Sequence, residues 1–465
     1  MSGPPISEYF ILPKDACGKV RAKCKLCTAV ISGHTKTTSN FLTHLKTRQI
    51  EFKISKAQNV CLTLDLWSNR QMSAFLGITG HFVSDWELKS VMIACNKFKG
   101  KHTSENIGHY YEETLATFNL VDKVLCIVTD NASNMLKTFD MPLPGYSFET
   151  VNSEDSSDDE DNEDTDDISD TQEHFDHLSF HLPCYAHTLQ LVVRDGIQQT
   201  NQHLKNVVLK ASQIISHTRK SINASEILES EKRVQAQNVT RWNSQLIMIR
   251  SILKIPGSKL QEIDYSVKLS AYERKLLKEL CEILTPFEDA THLIQQQKHV
   301  TASLPIPVTV GLRKKLQSLV SLYNNKIVTT LIESIAKRLS KYEENEALVI
   351  ATALDPRFKL QWCDQNRSDF ENLLKDKVRS LEDTIMDEDD ESLSPPKKKA
   401  KTDLFSFLDS PATPRKRHHS KMQCKVEEYL SEPLEDMECD PLEFWKARQS
   451  THPHLSKLAW RLRDV

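Results

Sequence analysis

The stretch from Asn59 to Asn134 constrains the chain more than any other, because it sets a carboxylate at the end of each of two apolar runs. The first run, Val60-Cys61-Leu62-Thr63-Leu64, leads into Asp65 and then Leu66-Trp67-Ser68. Two more strand-like runs follow, Ala74 to Val83 and Leu88 to Phe98, separated by the turn-like Ser84-Asp85-Trp86. From Thr103 to Phe118 the residues Ile107, Tyr110, Tyr111, Thr114, Leu115 and Phe118 keep helical spacing. A buried strand, Val124 to Thr129, then runs into Asp130-Asn131-Ala132-Ser133-Asn134. A strand–helix–strand connection crosses over right-handedly, so the fourth strand is expected to lie parallel beside the first. Asp65 and Asp130 then become neighbours, close enough to share a divalent cation such as Mg²⁺. Taken singly, each aspartate is as readily a turn former or a helix cap. The pair on adjacent strands is what points to a metal site or the remnant of one.

Three strands, a crossover helix and a fourth strand follow the order of a ribonuclease-H-like core. The expected fold class is therefore α/β: a ribonuclease-H-like mixed sheet with a large all-helical insertion, preceded by a small zinc finger. Six blocks carry a family resemblance: Leu64-Asp65-Leu66-Trp67-Ser68, Thr129-Asp130-Asn131-Ala132-Ser133-Asn134, Cys184-Tyr185-Ala186-His187-Thr188-Leu189-Gln190-Leu191, Thr240-Arg241-Trp242-Asn243-Ser244, Leu354-Asp355-Pro356-Arg357-Phe358-Lys359 and Asp440-Pro441-Leu442-Glu443-Phe444-Trp445. In that order they resemble the hAT-superfamily DNA transposases, and in particular the transposon-derived zinc finger BED domain-containing proteins. The resemblance implies that Asp65 and Asp130 are two of three catalytic acids. It also implies that Trp242 is a residue associated with DNA, although a tryptophan on an amphipathic helix is more often core.

At the amino terminus Cys24-Lys25-Leu26-Cys27 is a CxxC knuckle, and His44 lies on a short helix expected over Thr38 to Lys46, with Phe41, Leu42 and Leu45 facing inward. Two thiolates on a hairpin and an imidazole on the following helix form three quarters of a tetrahedral Zn²⁺ site. In the resemblance a fourth His or Cys follows His44 by a few residues. Here Gln49 stands in that spot, with His34 and Cys17 as unconventionally spaced substitutes. Lys19, Arg21, Lys23, Lys46 and Arg48 surround the knuckle and are the expected DNA contacts of the finger.

The domains expected are the incomplete finger at 1–49 and the core at 55–200 with an acidic insert at 150–178. Helical insertion and the remainder of the core follow at 201–380, then a linker at 381–425, and the start of a dimerisation region at 426–465. The acidic run from Ser153 to Asp170 has almost nothing to bury and cannot fold alone. In the helical region Leu276, Leu277, Leu280 and Leu284 share a face, and Pro286 is expected to mark a break. Glu288, just after it, is an early-helix acid rather than a catalytic one. In the linker, Lys397, Lys398, Lys399 and Lys401 behind two prolines, then Arg415, Lys416 and Arg417, read as a nuclear-import signal.

Net charge is only −4, so it is the clustering of charge rather than its sum that favours nucleic acid. Eleven cysteines without a secretory apolar segment fit a reduced compartment, most of them as small buried hydrophobes, and no apolar stretch is long enough to span a membrane. Only Ile50 to Asn59 separates finger from core, where the family has a long helical stretch, and the family's third acid, a Glu, is expected beyond Val465. The resulting expectation is a shortened, catalytically incompetent, nuclear DNA-binding protein, possessing Zn²⁺ in its finger and dimerising with itself through carboxy-terminal helices. An active transposase using Glu288 or Glu443 as the third acid is the rival enzyme reading. A protein-interaction scaffold is the rival without DNA.

Overall fold

The computed structural model describes residues 9–12, 18–139 apart from 26, 28 and 35–38, 180–388 apart from breaks at 230, 232–233, 237–241, 297–298, 324–325 and 364, and 421–462. The chain divides into two compact units, Met1–Pro183 and Cys184–Arg463. The division falls ahead of the 200 boundary expected for the core, because the helix carrying Cys184 and His187 packs with the helices that follow it.

The first unit opens with a small antiparallel sheet in the order β1 (Phe10–Ile11), β2 (Lys19–Cys24), β3 (Val30–His34), covered by helix α1 (Ser39–Ser55). Phe10, Ala22, Cys24 and Phe41 form its interior, with the Phe10 and Phe41 rings edge to face at 4.9 Å. Gly33 is required on β3, because a Cβ there would stand 2.5 Å from the Phe41 ring. Four residues make a very small core, which is why a unit of this size commonly depends on a metal.

Helix α1 outruns the expected Thr38–Lys46 by more than two turns, for a reason that lies in the next domain. Its last turn carries Ile54, 2% exposed, and the chain continues through buried Ala57 into the apolar core of the larger sheet. A helix end leaves its last carbonyls without partners. Here Lys123 Nζ donates to the carbonyls of Ile54, Ser55 and Ala57 at 3.3, 3.2 and 2.9 Å. The ammonium also sits at the negative end of the helix dipole.

That larger sheet contains β4 (Val60–Ser68), β5 (Ala74–Ser84), β6 (Glu87–Phe98), β7 (Val124–Thr129) and β8 (Phe180–Pro183), ordered β6-β5-β4-β7-β8. The β4–β5 and β5–β6 pairs are antiparallel, and the β4–β7 and β7–β8 pairs are parallel. This is the mixed α/β arrangement expected, with helix α2 (Ser104–Phe118) as the crossover and α3 (Ser133–Phe139) after β7. Thr103 belongs to α2 as its cap, accepting from Asn106 N, while Asn119 closes the other end in a left-handed conformation. Ile107, Tyr111 and Leu115 press the buried stripe of α2 onto Leu62, Leu64 and Ile78 of the sheet cluster.

The second unit is helical throughout its described residues, starting with α4 (Tyr185–Gln199). Contrary to expectation, Pro286 breaks nothing: one helix runs from Ala271 to Ile294 through it. An interior proline costs about 3 kcal/mol, but Leu277, Leu280, Ile283, Leu284, Phe287 and Ala290 are buried on both sides of it. A capping box between Ser270 and Glu273 fixes the start of this helix. The helix Arg367–Glu388 likewise runs past the 380 boundary expected for the linker. Of the nine described cysteines only Cys24, Cys61, Cys126 and Cys281 are buried, fewer than expected, and none of the nine is in a disulfide.

The carboxy-terminal helices Lys421–Ser431, Pro441–Ala447 and Pro453–Leu462 close over the Leu354–Lys359 segment. Lys359 is 1% exposed, and its ammonium donates to the carbonyls of Tyr429, Glu432 and Pro433 at 2.6, 2.9 and 3.2 Å, over the Tyr429 ring. Trp445 Nε1 donates to the Leu354 carbonyl at 2.7 Å. Asp355, also buried, accepts from Ser303 Oγ at 2.6 Å and from the Arg357 guanidinium. Replacing Lys359 by Met keeps the stem but leaves three carbonyls without a donor. The expected outcome is a loss of about 2–4 kcal/mol, read as a lower midpoint of thermal unfolding.

Candidate metal centres and DNA-facing surface

The β4–β7 register pairs Cys61 with Cys126, Leu62 with Ile127 and Thr63 with Val128. Continued by two residues, it sets Asp65, inside β4, beside Asp130, just past the carboxy-terminal end of β7. Side chains alternate along a strand, so both belong to the face that carries Thr63 and Cys61. Asp130 also turns the chain into α3, accepting from Ala132 N at 3.1 Å. Asp130 thus closes the turn into α3 while its charge also acts on Asp65. Thr129 Oγ1 donates to the Asp130 carbonyl and is hydrogen-bonded to His181 Nε2 at 2.9 Å, which ties β8 to the same strand end.

Burial holds the Asp65 carboxyl above the usual carboxylate range, the negative charge of Asp130 adds to the effect, and a backbone hydrogen bond at Leu66 opposes it. A raised pKa in the folded state means that the folded chain holds a proton the unfolded one has released. The stability deficit is therefore present above that raised pKa and vanishes as pH falls through it. Beside the acids, the Trp67 ring stacks on Phe75 at 5.9 Å and fills the space over Gly77, the residue opposite Asp65.

No third His, Cys, Asp or Glu gathers with Asp65 and Asp130 among the described residues. Glu288, in the second unit, is engaged by Arg250, which also donates to Thr285 Oγ1 at 2.7 Å. It stands well inside the Ala271–Ile294 helix, so an ion pair and not the helix dipole explains it. Glu443 pairs with Lys446 at 3.5 Å on the surface.

In the finger, single donor atoms of Cys24, Cys27 and His44 all lie within 4.8 Å of one another, with Cys27 Sγ 3.3 Å from His44 Nε2. Zinc bonds of about 2.3 Å to sulfur and 2.0–2.1 Å to nitrogen place tetrahedral ligand atoms roughly 3.5 Å apart, so these three fit the ion. The Phe10 ring, 5.9 Å from the imidazole, holds His44 in place. His34 stands outside this cluster, and Cys17 and the Gln49 side chain lie outside the described residues. One turn after His44 stands Arg48, whose guanidinium pairs with Glu51 at 2.5 Å. The i, i+4 rule could have found this from sequence, since His44 and Arg48 share a helix face.

Along β2 the exposed residues Lys19, Arg21 and Lys23 alternate with Val20, Ala22 and Cys24, which face inward. The expected basic contacts therefore form one row on the outer face of the finger's sheet. Arg48 lies on α1 rather than on that strand and is paired with Glu51, and the Lys46 side chain lies outside the described residues. Trp242 is partly exposed and opens the helix Trp242–Leu253, whose Leu246, Met248, Ile249 and Ile252 are buried. Lys397, Lys398, Lys399, Lys401, Arg415, Lys416 and Arg417 lie outside the described residues.

Because like charges oppose each other at the acid pair, Asp130→Asn is expected to raise the thermal midpoint at neutral pH. Asn keeps the oxygen that accepts from Ala132. The gain should shrink as pH falls and Asp65 takes up its proton. Unfolding scans at several pH values check this, and a midpoint lowered at every pH would separate the two carboxylates.

Four protein-family models match, in order along the chain: the BED zinc finger at residues 8–48, the ZBED1 RNase-like domain at 63–143, the ZBED1 RNase-like helical domain at 182–283 and the hAT family C-terminal dimerisation region at 425–462. Among similar proteins, a Zea mays protein named for the AC transposase is 24% identical over 436 residues, 87% of this chain and 51% of its own length. Zinc finger BED domain-containing protein RICESLEEPER 3 of Oryza sativa subsp. japonica is 22% identical, covering 87% of this chain and 55% of its own. Zinc finger BED domain-containing protein 4 of Homo sapiens is 25% identical over 60% of this chain and 25% of its own. The chain thus spans about half or less of the length of these relatives. Finger, sheet, helical unit and closing helices together make this a chain with a BED zinc finger, ZBED1 RNase-like domains and an hAT dimerisation region, whose relatives are BED zinc finger proteins and hAT transposases.

Proposed function

We propose that the chain is a transposase-derived DNA-binding protein of the nucleus whose ribonuclease-H-like core does not cut DNA. The observation that carries the DNA-binding half is the finger: three zinc donors draw β2 and α1 together, and Lys19, Arg21 and Lys23 point outward from the strand so fixed. A row of cations on one rigid strand neutralises successive phosphates and releases their counterions, which gives affinity without base readout. A relative from Talaromyces stipitatus bears the name of a transcriptional regulator, and regulation of transcription is the role this surface suits. The basic runs at Lys397–Lys401 and Arg415–Arg417 support nuclear import.

The silent-core half rests on ligand supply. Phosphoryl transfer between two metal ions needs carboxylates that bridge and anchor both. Asp65 and Asp130 can orient one Mg²⁺, while Glu288 is engaged by Arg250, and among the described residues neither it nor Glu443 gathers with the two aspartates. Self-association is the expected role of the hAT region. Leu442, Trp445, Leu455 and Leu458 are buried within the second unit, so a homodimer has to use other faces of those helices.

Lys23→Glu is expected to weaken duplex binding for all sequences alike. It should also reduce the slope of log affinity against log salt by about one, as measured by fluorescence anisotropy across a salt series. A slope identical to that of the unaltered chain would remove β2 from the interface. For the core, a labelled duplex bearing terminal inverted repeats is expected to stay intact with Mg²⁺ or Mn²⁺. Metal-dependent cleavage that Asp65→Ala abolishes would overturn the silent-core reading.

A further inference from the structure

The outer face of the finger's sheet carries one row that is not wholly basic. Ile11 on β1 stands opposite Lys23 on β2, and Lys23 stands opposite Val30 on β3. Neighbouring strands lie about 4.8 Å apart, so two branched aliphatic side chains flank the lysine stem, one on either side. Ile11 is 59% exposed and Val30 51%, while Phe10, Ala22 and Cys24 on the other face are buried. The next rows along β2 set Arg21 opposite Ser32 and Lys19 opposite His34, both polar neighbours. A single exposed aliphatic side chain needs no explanation. Two of them around one cation, at the end of the face nearest the Cys24–Cys27 knuckle, make a mixed patch that only a mixed surface matches.

On the reading of the basic row as a DNA surface, we propose that Ile11 and Val30 contact thymine in the major groove and give the finger a base preference. A protein partner for the same patch would bury Lys23 between the two aliphatic side chains, and an ammonium so buried needs an anion. A duplex supplies both halves of the match. Its backbone carries phosphates for Lys19, Arg21 and Lys23, and its major groove exposes the C5-methyl of thymine. The minor groove presents no methyl group, so the contact also fixes which groove the sheet enters. The antiparallel ribbon of β2 and β3 has the width that the major groove admits. Reach divides the work between the residue types. Lysine and arginine stems are longer than isoleucine or valine, so the cations extend to the phosphates along the groove while the short branched chains stay over the base edges. Phosphate contacts hold the duplex without reading it, and the flanking pair selects among sequences. Two strand spacings separate Ile11 from Val30 by about 10 Å, so the thymines they read lie within about three base pairs of each other.

The full chain, loaded with Zn²⁺, is used to select a preferred duplex from a random pool. Each thymine of that duplex is then replaced in turn by uracil, which differs only by the missing methyl, and affinity is read by fluorescence anisotropy at fixed salt. The expected result is a loss of about fourfold at one or two positions, the effect of returning one methylene-sized group to water. Ile11→Ser and Val30→Ser should each make thymine and uracil equivalent at one of those positions. Both side chains are exposed, so the substitutions leave the fold in place, and an unchanged slope of log affinity against log salt verifies that the basic row is intact. Thymine and uracil bound equally by the unaltered chain, or a preference that survives both serines together, overturns the contact while leaving the DNA surface standing. A salt slope that Lys23→Glu does not alter overturns the DNA surface and the contact with it.

Discussion

The parallel pairing of β4 with β7 is the constraint from which the first unit follows. Once Cys61 lies beside Cys126, and Leu62 beside Ile127, the connection between the strands must pass over one face, and α2 is the helix that makes it. The same register leaves the two aspartates side by side at the strand ends, where like charges would push a strand pair apart. What holds them is the burial of Val60, Leu62, Leu64 and Ile127 a few residues behind, against Ile107, Tyr111 and Leu115. Apolar burial at about 25 cal/mol per Å² far exceeds the repulsion of one half-exposed pair. The electrostatic cost is accepted at the strand ends because packing further back decides the fold.

A second dependency joins the finger to that core. His44 and Ile54 lie on one uninterrupted helix, ten residues or about 15 Å apart. Lys123, from the segment just before β7, closes the end of that helix. Metal ligation and core packing therefore act on opposite ends of one rod. The ten residues from Ile50 to Asn59 look like a tether in sequence, but the first six finish α1, and Ile54 and Ala57 are buried in the core.

How much of this was legible depended on the range of the interaction that fixes each element. The strands β4 to β7 were readable because their apolar runs alternate with turn residues locally, and Val124–Thr129 was bounded correctly to the residue. The end of α1 was not readable, since it is set by Lys123 and by a core partner far along the chain. Pro286 misled for the same reason, its local penalty being outweighed by Leu280, Leu284 and Phe287 packing on either side. Among site residues, Cys24, Cys27 and His44 were legible from spacing. Arg48 was read as a DNA contact, and its pairing with Glu51 needed only the i, i+3 spacing of a helix. The outward row of Lys19, Arg21 and Lys23 needed only the two-residue period of a strand.

The knot at Lys359 bears on how copies of this chain could come together. An ammonium buried under three carbonyls, with Trp445 hydrogen-bonded to Leu354, means that the hAT region packs onto helices of its own chain. A copy that docked on that region so packed would bring two finished surfaces together. Such docking orders little backbone, and its heat-capacity change reports the area of the contact alone. A segment that folded on binding would carry the much larger signature of its own core. In this chain Lys359 and Trp445 fill that core from within, so a copy docking there would meet the outer faces of the closing helices, where surface charge and salt act.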